Sequence, residues 1–320
     1  MIGATTDGMW VADRSKPDGD CGPTTLVDPT SGASTTLQPD LGAFCPERAT
    51  GNERYVVWVN HSDTTADYID WSLIAFDRTT GKRTTLASYP RTPDGKPVLG
   101  GFFYPQIHDS TVYWWAMTTR PGGPHPDVFA ADLTTGKVTT LIEDAEWASL
   151  SYPYLYVTKF VTFDDLLTRT VHRMDLRDGT MTKLDLPGAP RYYCFTQDFG
   201  IVWLASERPE TPPHDLTDRS MTVVVAPDGR LLRQETDDLA ASGTLPPVWV
   251  TCGDHQAAWS NQDSGPWLLS VTVGKLARLG ADGDGAWIGT TGSWVWWTEG
   301  RDEATVATRT ATASQLLGRS

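Results

Sequence analysis

One hairpin pattern recurs along the chain and limits what the chain can fold into. Three copies are nearly identical: DRTTGKRTTL from Asp77, DLTTGKVTTL from Asp132 and DLRDGTMTKL from Asp175. Each places a glycine where a tight turn needs a positive φ, and β-branched residues flank the turn. Such a segment predicts two antiparallel strands. A sequence that repeats this hairpin predicts a repeat architecture in which each unit packs on the next.

Seven copies of a four-strand unit can be laid out, with strands A to D in each. Strand B is rich in aromatic residues, and its markers are Trp10, Trp58, Trp115, Tyr156, Trp203, Trp259 and Trp296. The markers lie 37 to 57 residues apart, close to the roughly 40–50 residues of a propeller blade. No stretch has the 3.6-residue periodicity of a helix. The pattern predicts an all-β fold, a seven-bladed β-propeller with four antiparallel strands per blade.

The predicted propeller is a single domain over residues 1–320. Its expected blades are residues 1–38, 39–88, 89–142, 143–186, 187–236, 237–280 and 281–320. We expect the first blade to have its own strand A at Ile2–Thr6. We expect the last blade to end in its own strand D, within the hairpin Ala304–Leu317. The ring would then close without a strand shared between the two termini.

The hairpins resemble those of the TolB-like, or WD40-like, β-propellers of bacteria. The shared pattern is an aspartate, one or two residues, Thr-Gly-Lys and then Thr-Thr-Leu, and the resemblance covers the whole chain. The turn between strands A and B is commonly Ser-Pro-Asp-Gly in that family, and Thr5-Thr6-Asp7-Gly8 is the nearest match here. The resemblance implies a fold and carries no specific activity.

The charge of the chain argues against two classes of partner. A net charge of −14 and a pI near 4.7 disfavour nucleic acid, which needs a basic surface. The same charge disfavours adhesion to anionic membranes. No apolar run reaches the ~18–20 residues needed to span a bilayer, so we expect no membrane insertion. The acidity itself is sufficiently explained by solubility.

Four cysteines give a hypothesis about the compartment. None belongs to a C-x-x-C pair, so a zinc cluster is not expected. The repeat frame favours the pairs Cys21–Cys45 and Cys194–Cys252, because each joins neighbouring units; four buried free thiols are the alternative. Two disulfides would indicate an oxidising compartment. The first ten residues do not read as a signal peptide, so we expect a secreted, periplasmic or cell-envelope protein if a leader was trimmed, and otherwise a cytoplasmic one.

Loop length predicts which face of the propeller binds a ligand. The C–D turns are tight and uniform, whereas the B–C loops are long and individual: Arg14–Pro23, Asn60–Asp70, Thr118–Pro126, Thr162–Arg169 and Glu207–Ser220. The D–A loops Tyr89–Gly101 and Thr236–Pro247 are also long and are expected on the same face. Variation concentrated on one face indicates binding there, with neutral drift of surface loops as the alternative. The main hypothesis is therefore a rigid, monomeric binding module that holds a small molecule, a glycan or a peptide or protein partner at this funnel face.

Two sets of side chains are candidates for ligand contacts. Aromatic residues near the starts of the A strands would either stack on a ligand or pack as wedges between blades: Phe44, Phe102, Trp147, Tyr192, Trp249 and Trp287. Polar residues expected to point into the channel are Glu47, Arg48, Gln106, Gln197 and Thr290. The direction of the pleat decides between these outcomes, since a slip of one residue turns a ring from the channel to the core.

The alternative hypothesis is a propeller enzyme, a lyase, hydrolase or cyclase, with a site drawn from several blades in the same funnel. Its candidate residues, suited to acid–base chemistry or, for the histidines, to a metal, are His61, His125, His214, Arg191, Tyr192 and Glu207. No G-x-S-x-G, H-E-x-x-H, phosphate-loop or dinucleotide motif is present, so no catalytic residue, metal or cofactor is assigned. A purely structural repeat inside a larger assembly is a third hypothesis.

Overall fold

Short antiparallel strands make up nearly all of the described chain. The computed structural model describes residues 2–13, 21–39, 44–62, 71–90, 104–121, 123–160, 168–204, 221–234, 249–261, 265–270, 274–279, 288–299 and 307–317. The chain divides into two compact units, Met1–Ala148 and Ser149–Ser320. The division falls inside one strand, and the two units are described separately.

The first unit contains three antiparallel groups of four strands. Their bounds are β1 Gly3–Thr5, β2 Trp10–Asp13, β3 Thr24–Val27, β4 Ser34–Gln38, β5 Phe44–Gly51, β6 Tyr55–Ser62, β7 Trp71–Asp77, β8 Arg83–Ser88, β9 Gln106–His108, β10 Thr111–Arg120, β11 Gly123–Asp132 and β12 Lys137–Ile142. The first two groups join through β1 and β5 into one sheet, ordered β4-β3-β2-β1-β5-β6-β7-β8. The third is ordered β12-β11-β10-β9.

The remaining strands run from the division to the end of the described chain. Their bounds are β13 Ala145–Ser151, β14 Tyr154–Lys159, β15 Thr170–Asp175, β16 Met181–Lys183, β17 Pro190–Phe195, β18 Gly200–Leu204, β19 Met221–Val225, β20 Leu231–Gln234, β21 Trp249–Cys252, β22 Ala257–Asn261, β23 Gly265–Ser270, β24 Lys275–Arg278, β25 Ile288–Thr291, β26 Trp294–Glu299 and β27 Ala307–Thr312. They form three sheets of four strands and a last sheet, β25-β26-β27, of three.

The prediction of an all-β fold built from four-stranded sheets is confirmed. The first group does have its own innermost strand, β1. The prediction of a strand D after β27 is wrong for the described residues, because Ala313–Leu317 form a short helix, α1. Its start is a capping box: the Thr312 hydroxyl accepts the backbone N–H of Gln315, and the Gln315 side chain accepts the N–H of Thr312. These reciprocal bonds satisfy N–H groups that a helix start otherwise leaves unpaired.

Both faces of the central strands are buried, so a single sheet cannot fold alone. In β6, residues 55–60 are all buried. Val56 and Trp58 pack with residues of β2 and β3, whereas Val57 and Val59 pack with residues of β10 and β11. Successive side chains of a strand point to opposite faces, so one strand contributes to two cores. The second unit repeats this, since Trp259 of β22 packs against β18 while Ala258 packs against β26.

The first two strand groups are joined by a parallel backbone seam. Gly3, Ala4 and Thr5 of β1 pair with Ala49, Thr50 and Gly51 of β5. The approach is close because glycine lacks a Cβ: a Cβ on Gly3 would lie 1.9 Å from the Ala49 carbonyl oxygen. A Cβ on Gly51 would lie 2.8 Å from the Thr5 side chain of β1 and 2.5 Å from the Tyr55 carbonyl oxygen of β6. Backbone atoms cannot yield as a flexible side-chain end can, so both positions need glycine.

Replacing Gly3 by alanine should therefore weaken the seam. We expect Gly3→Ala to lower the free energy of unfolding by about 1–3 kcal/mol, the usual cost of overpacking. Gly188→Ala is the control, because a Cβ there would meet Leu204 at an ordinary 3.5 Å, and it should change stability by about 0.5 kcal/mol or less. Denaturant unfolding measures both, and equal effects would contradict the close approach.

An aspartate closes the C–D turn in four strand groups. In three of them its Oδ1 accepts the backbone N–H groups two and three residues later, at 2.7–3.3 Å. A glycine four residues after each aspartate donates its N–H to the aspartate carbonyl at 2.7–2.8 Å and has φ between 70° and 77°. The aspartates are Asp28, Asp77, Asp132 and Asp175, and the glycines are Gly32, Gly81, Gly136 and Gly179.

These hydrogen bonds favour the ionised carboxylate and lower its pKa in all four turns. At Asp28 and Asp132 the largest cause is a hydroxyl, from Ser31 and Thr134 respectively. Burial alone would raise the pKa of Asp77, but the backbone N–H donors and Arg54 outweigh it. The Arg177 side chain and backbone lower the pKa of Asp175 to about 2. The turn is thus held by charge-assisted bonds as well as by glycine.

The Asp175 turn should be sensitive to acid. Its folded-state pKa lies below the ordinary value of 3.8, so the carboxylate stabilises the fold above pH 4 and this stabilisation is lost as the pH falls from about 4 to about 2. Asp175→Asn should lower the melting temperature at pH 7, and its difference from the parent should disappear by about pH 2. Asp254→Asn is the control, because Asp254 is exposed and its hydrogen bonds to neighbouring turns are made by its backbone. Its difference in melting temperature from the parent should not shrink between pH 7 and pH 2. A constant gap for Asp175→Asn across this range would contradict the assignment.

Both predicted cysteine pairings are present. Cys21 is bonded to Cys45 and Cys194 to Cys252, with Cα–Cα distances of 5.2 and 5.6 Å. Persistent disulfides are typical of oxidising compartments. Within the described ranges, the protein has no helix of the length and apolarity needed to cross a membrane.

Candidate functional site

A group of polar and aromatic side chains in the first unit comes from β5, β6, β13 and the segment just before β9. It starts at β5, where Glu47 precedes a β-bulge and Arg48 lies within it, between Glu47 and Thr50. Arg48 has φ 50°, a left-handed conformation that costs a non-glycine residue roughly 1–3 kcal/mol. Such backbone strain is concentrated at binding and active sites. The side chain of Arg48 is nevertheless only 7% exposed.

Glu47 lies between a guanidinium and an imidazole. Its Oε1 is 3.2 Å from Arg48 Nε, and its Oε2 is 3.5 Å from Nε2 of His61. His61 belongs to β6 and stands directly opposite Cys45 of β5. The side chains of Glu47 and His61 are 16% and 21% exposed. This arrangement gives a partly buried acid–base pair whose carboxylate is compensated by a fixed positive charge.

Two aromatic rings extend this group. The guanidinium carbon of Arg48 lies 4.5 Å from the centre of the Tyr104 ring, within the range of a cation–π contact. The Tyr104 and Trp147 rings are 6.0 Å apart and tilted by 56°. Trp147, near the start of β13, is also left-handed, with φ 53°. We call Glu47, Arg48, His61, Tyr104 and Trp147 together the Glu47 cluster.

Neighbouring polar groups hold the cluster in place. Gln106 donates its side-chain N–H to the carbonyl of Ala148 at 2.6 Å, which ties β9 to the strand that carries Trp147. Next to His61, the buried Asn60 accepts the Trp58 indole N–H and donates to the Gln38 side-chain oxygen, both at 3.0 Å. Satisfied buried polar groups of this kind fix one arrangement of the strands.

The structure brings together several of the residues singled out in the sequence. Arg48, His61 and Trp147 are members of the cluster, and Gln106 supports it. Tyr104 was missed: the sequence signal was the run Phe102-Phe103-Tyr104, in which Phe102 was chosen. The prediction that His61 lies in a loop is wrong, because β6 extends to Ser62.

His125 is likewise in a strand. The predicted loop Thr118–Pro126 is wrong in its described residues, which are paired between β10 and β11 from Thr118↔His125 to Arg120↔Gly123. His125 Nδ1 lies 3.0 Å from Asp144 Oδ1. Arg120 contacts Asp144 at 2.9 Å, Asp127 at 2.6 Å and Glu143 at 3.2 Å. His125 therefore belongs to an ion-pair network that braces this hairpin.

The other predicted residues fall elsewhere. Arg191 and Tyr192 are adjacent in β17 of the second unit, with the guanidinium carbon 5.7 Å from the ring centre. Gln197 is exposed in the turn between β17 and β18, and its backbone N–H donates to the carbonyl of Asp254. The residues or side chains that lie outside the described part of the chain are Phe44, Phe102, His214, Glu207, Trp249 and Trp287. Within the described residues, no group of three or more His, Cys, Asp or Glu side chains is placed to hold a metal ion.

Comparison with known proteins identifies the fold. No family model and no curated protein matches the sequence. Among solved structures, the β-propeller domain of the trilobed protease from Pyrococcus furiosus, described as having an open velcro topology, superposes with a TM-score of 0.52 over 84% of this chain and 81% of that one, at 9% identity. The chain shares the β-propeller fold. This agrees with the TolB-like resemblance of its hairpins.

Two enzymes have a similar structure over nearly the whole chain. Puromycin hydrolase matches with a TM-score of 0.61 over 97% of this chain, at 15% identity, but this chain spans only 52% of its length. An oligogalacturonate lyase in complex with manganese matches with a TM-score of 0.56 over 98% of this chain and 88% of the lyase, at 11% identity. Identities this low establish a common fold and nothing finer.

The Arg120 network gives a test of how this part of the first unit is held. Arg120→Gln should lower the free energy of unfolding by about 2–3 kcal/mol, because it leaves the Asp127 carboxylate, 5% exposed, without its cation. Arg54→Gln is the control, since Arg54 is 51% exposed in its pair with Asp77 and should cost about 1 kcal/mol or less. Denaturant unfolding compares the two, and equal losses would contradict a bracing role for Arg120.

Proposed function

We propose that this protein is a propeller enzyme of the lyase or hydrolase type, with the Glu47 cluster as its site. This is the alternative hypothesis drawn from the sequence. The observation that carries it is the position of the Glu47 carboxylate between the imidazole of His61 and the guanidinium of Arg48. In this proposal His61 transfers a proton to or from the substrate. Glu47 orients the imidazole and stabilises its charged form, as a carboxylate does in other acid–base pairs.

Arg48 and the two rings would bind the substrate and stabilise charge. The guanidinium, buried and stacked on Tyr104, supports negative charge that develops near the imidazole. Tyr104 and Trp147 offer apolar ring faces of the kind that pack against sugars and other flat groups. The separation of 3.5 Å between His61 and Glu47 is longer than a hydrogen bond, and such pairs commonly shorten when substrate binds.

The structural comparisons support an enzyme in different degrees. This chain covers 88% of the lyase, so the shared fold makes up most of that protein. It covers about half of puromycin hydrolase and of the prolyl endopeptidases, whose activity could lie in the half that is not shared. The lyase comparison therefore favours a site built on the propeller itself. By analogy with that protein, an acidic oligosaccharide is the first substrate class to test.

A binding module without chemistry is the second candidate. The aromatic pair Tyr104 and Trp147 favours it, because ring stacking would hold a small molecule, glycan or peptide whether or not a proton is transferred. Both candidates place the ligand at the Glu47 cluster. They differ in whether the ligand is changed, which makes turnover the decisive measurement.

The proposed setting of the site is one seven-bladed propeller over residues 1–320. Six groups of four strands and one of three support it, and every sheet is built from one continuous stretch of chain, as closure without a shared terminal strand would require. The trilobed protease propeller, with its open velcro topology, offers a precedent. The two disulfides support a secreted, periplasmic or cell-envelope location. We propose a monomer that acts on a small-molecule or glycan substrate and binds neither nucleic acid nor membrane.

Turnover tests the proposal directly. The parent, Glu47→Gln and His61→Gln would be assayed on acidic oligosaccharides, where elimination creates an absorbing double bond, and on chromogenic aminoacyl amides. We expect kcat to fall at least about 100-fold in both variants, the usual contribution of acid–base catalysis, with KM changed only a few-fold. His255→Gln is the matched control, because His255 also pairs with a carboxylate, Asp198, at 2.7 Å but lies outside the cluster.

Three outcomes separate the candidates. Loss in Glu47→Gln and His61→Gln with normal turnover in His255→Gln supports the enzyme and its site. Turnover that survives both cluster substitutions shows that the site lies elsewhere. Saturable binding of a glycan without turnover, weakened by Trp147→Ala, supports the binding module.

A further inference from the structure

The disulfide Cys21–Cys45 lies beside the Glu47 cluster. Cys45 is the second residue of β5, two positions before Glu47, and it pairs directly with His61 across the ladder. The ladder is regular from Phe44↔Ser62 to Glu47↔Val59. Residues two apart in a strand share a face, as do residues directly opposite in an antiparallel pair. Cys45, Glu47 and His61 therefore stand on one face of the sheet.

The two halves of β5 are held differently. Residues 49–51 pair with β1 on one side, and Thr50 and Gly51 pair with β6 on the other. Residues 44–47 pair with β6, and within the described residues no strand pairs with them on the β1 side. Pro46 has no N–H to contribute to a ladder, and the bulge after Glu47 interrupts the ladder where Arg48 turns left-handed. Among the described strands, the half that carries the cluster is thus paired on one side, whereas residues 50 and 51 are paired on both.

The disulfide gives the first half of β5 a covalent link to the first strand group. Cys21 lies three residues before β3, in the first strand group, and its bond to Cys45 joins that group to the first half of β5 with a Cα–Cα distance of 5.2 Å. β1 joins the same group to the second half. Cys45 is 7% exposed, so the link is packed into the sheet rather than left at a loop tip. A covalent cross-link here restricts the local opening of residues 44–47.

We propose that the Cys21–Cys45 disulfide is a positioning element that holds Glu47 opposite His61. The structural part of this proposal depends only on how β5 is paired and cross-linked. Its consequence for turnover rests on the proposed function. Without the bond, the half of β5 that carries Glu47 opens more often, while the half paired with β1 stays closed. The site then loses the fixed separation of carboxylate and imidazole although the sheet remains folded.

Hydrogen exchange followed residue by residue tests the structural part. In Cys21→Ser/Cys45→Ser we expect amides of residues 44, 45 and 47 to exchange at least about 10-fold faster, with residues 49–51 and β7 unchanged. The His61 ring resonances should shift, while those of His255 should not.

Cys194→Ser/Cys252→Ser is the matched control. The disulfide that it removes joins β17 to β21, so its loss should leave β5 and His61 unchanged. Cys21→Ala/Cys45→Val, which fills the site with apolar groups, replaces the serine pair if that pair does not fold.

The results distinguish a failure of this proposal from a failure of the proposed function. Unchanged exchange at residues 44–47 overturns the positioning role. Equal acceleration of exchange throughout β5 to β8 also overturns it, because that result indicates only a general loss of stability. Local acceleration with the expected His61 shift supports it whether or not any substrate is turned over. Where turnover exists, kcat should fall at least about 10-fold in the Cys21/Cys45 variant and stay within 2-fold in the Cys194/Cys252 variant.

Discussion

The burial of both faces of central strands such as β6, β14 and β18 is the constraint on which the structure depends. A four-stranded sheet is too small to cover itself, and strands such as β6 are apolar on both sides through residues 55–60. The sheet that contains such a strand must therefore be covered by a neighbouring sheet on either face. This explains why Val56 and Val57, adjacent in sequence, belong to different cores. It also explains why tryptophan is abundant, since one fully buried ring such as Trp58 fills much of the space between two sheets.

Local signals allowed most of the fold to be predicted from the sequence. The aspartate and glycine of four C–D turns act within five residues, so these hairpins could be predicted without any knowledge of their neighbours. The cysteine pairs followed from the repeat frame. His61 and His125 were placed in loops because His61 follows, and His125 precedes, the apolar part of its strand, but a ladder is made by backbone groups and continues beyond the buried side chains. The helix α1 is too short to show periodicity, although Thr312-x-x-Gln315 is a readable capping box.

The candidate site could be predicted only in part, because it depends on contacts between sequence-distant strands. Arg48, Gln106 and Trp147 were found by their position near the starts of inner strands. Tyr104 was not found, because the residue chosen from the run Phe102-Phe103-Tyr104 was Phe102, two positions earlier. Nothing local indicates that Glu47 reaches His61, because the contact depends on the register between β5 and β6 and on the bulge that follows Glu47. The site thus uses the least regular part of an otherwise regular strand, as strained functional positions commonly do.

The parallel seam between β1 and β5 limits how such a chain can gain or lose repeats during evolution. Elsewhere in the described residues, neighbouring sheets within a unit meet through side-chain packing, side-chain hydrogen bonds and single backbone bonds between turns, such as Gln197 with Asp254. One junction, between β17 and β21, also carries the Cys194–Cys252 disulfide. A duplicated repeat can enter at such a junction by repacking apolar surface. At the first junction it would also have to supply glycines equivalent to Gly3 and Gly51 and a strand in parallel register. The first two repeats should therefore be inherited as a pair, with changes in copy number confined to later junctions.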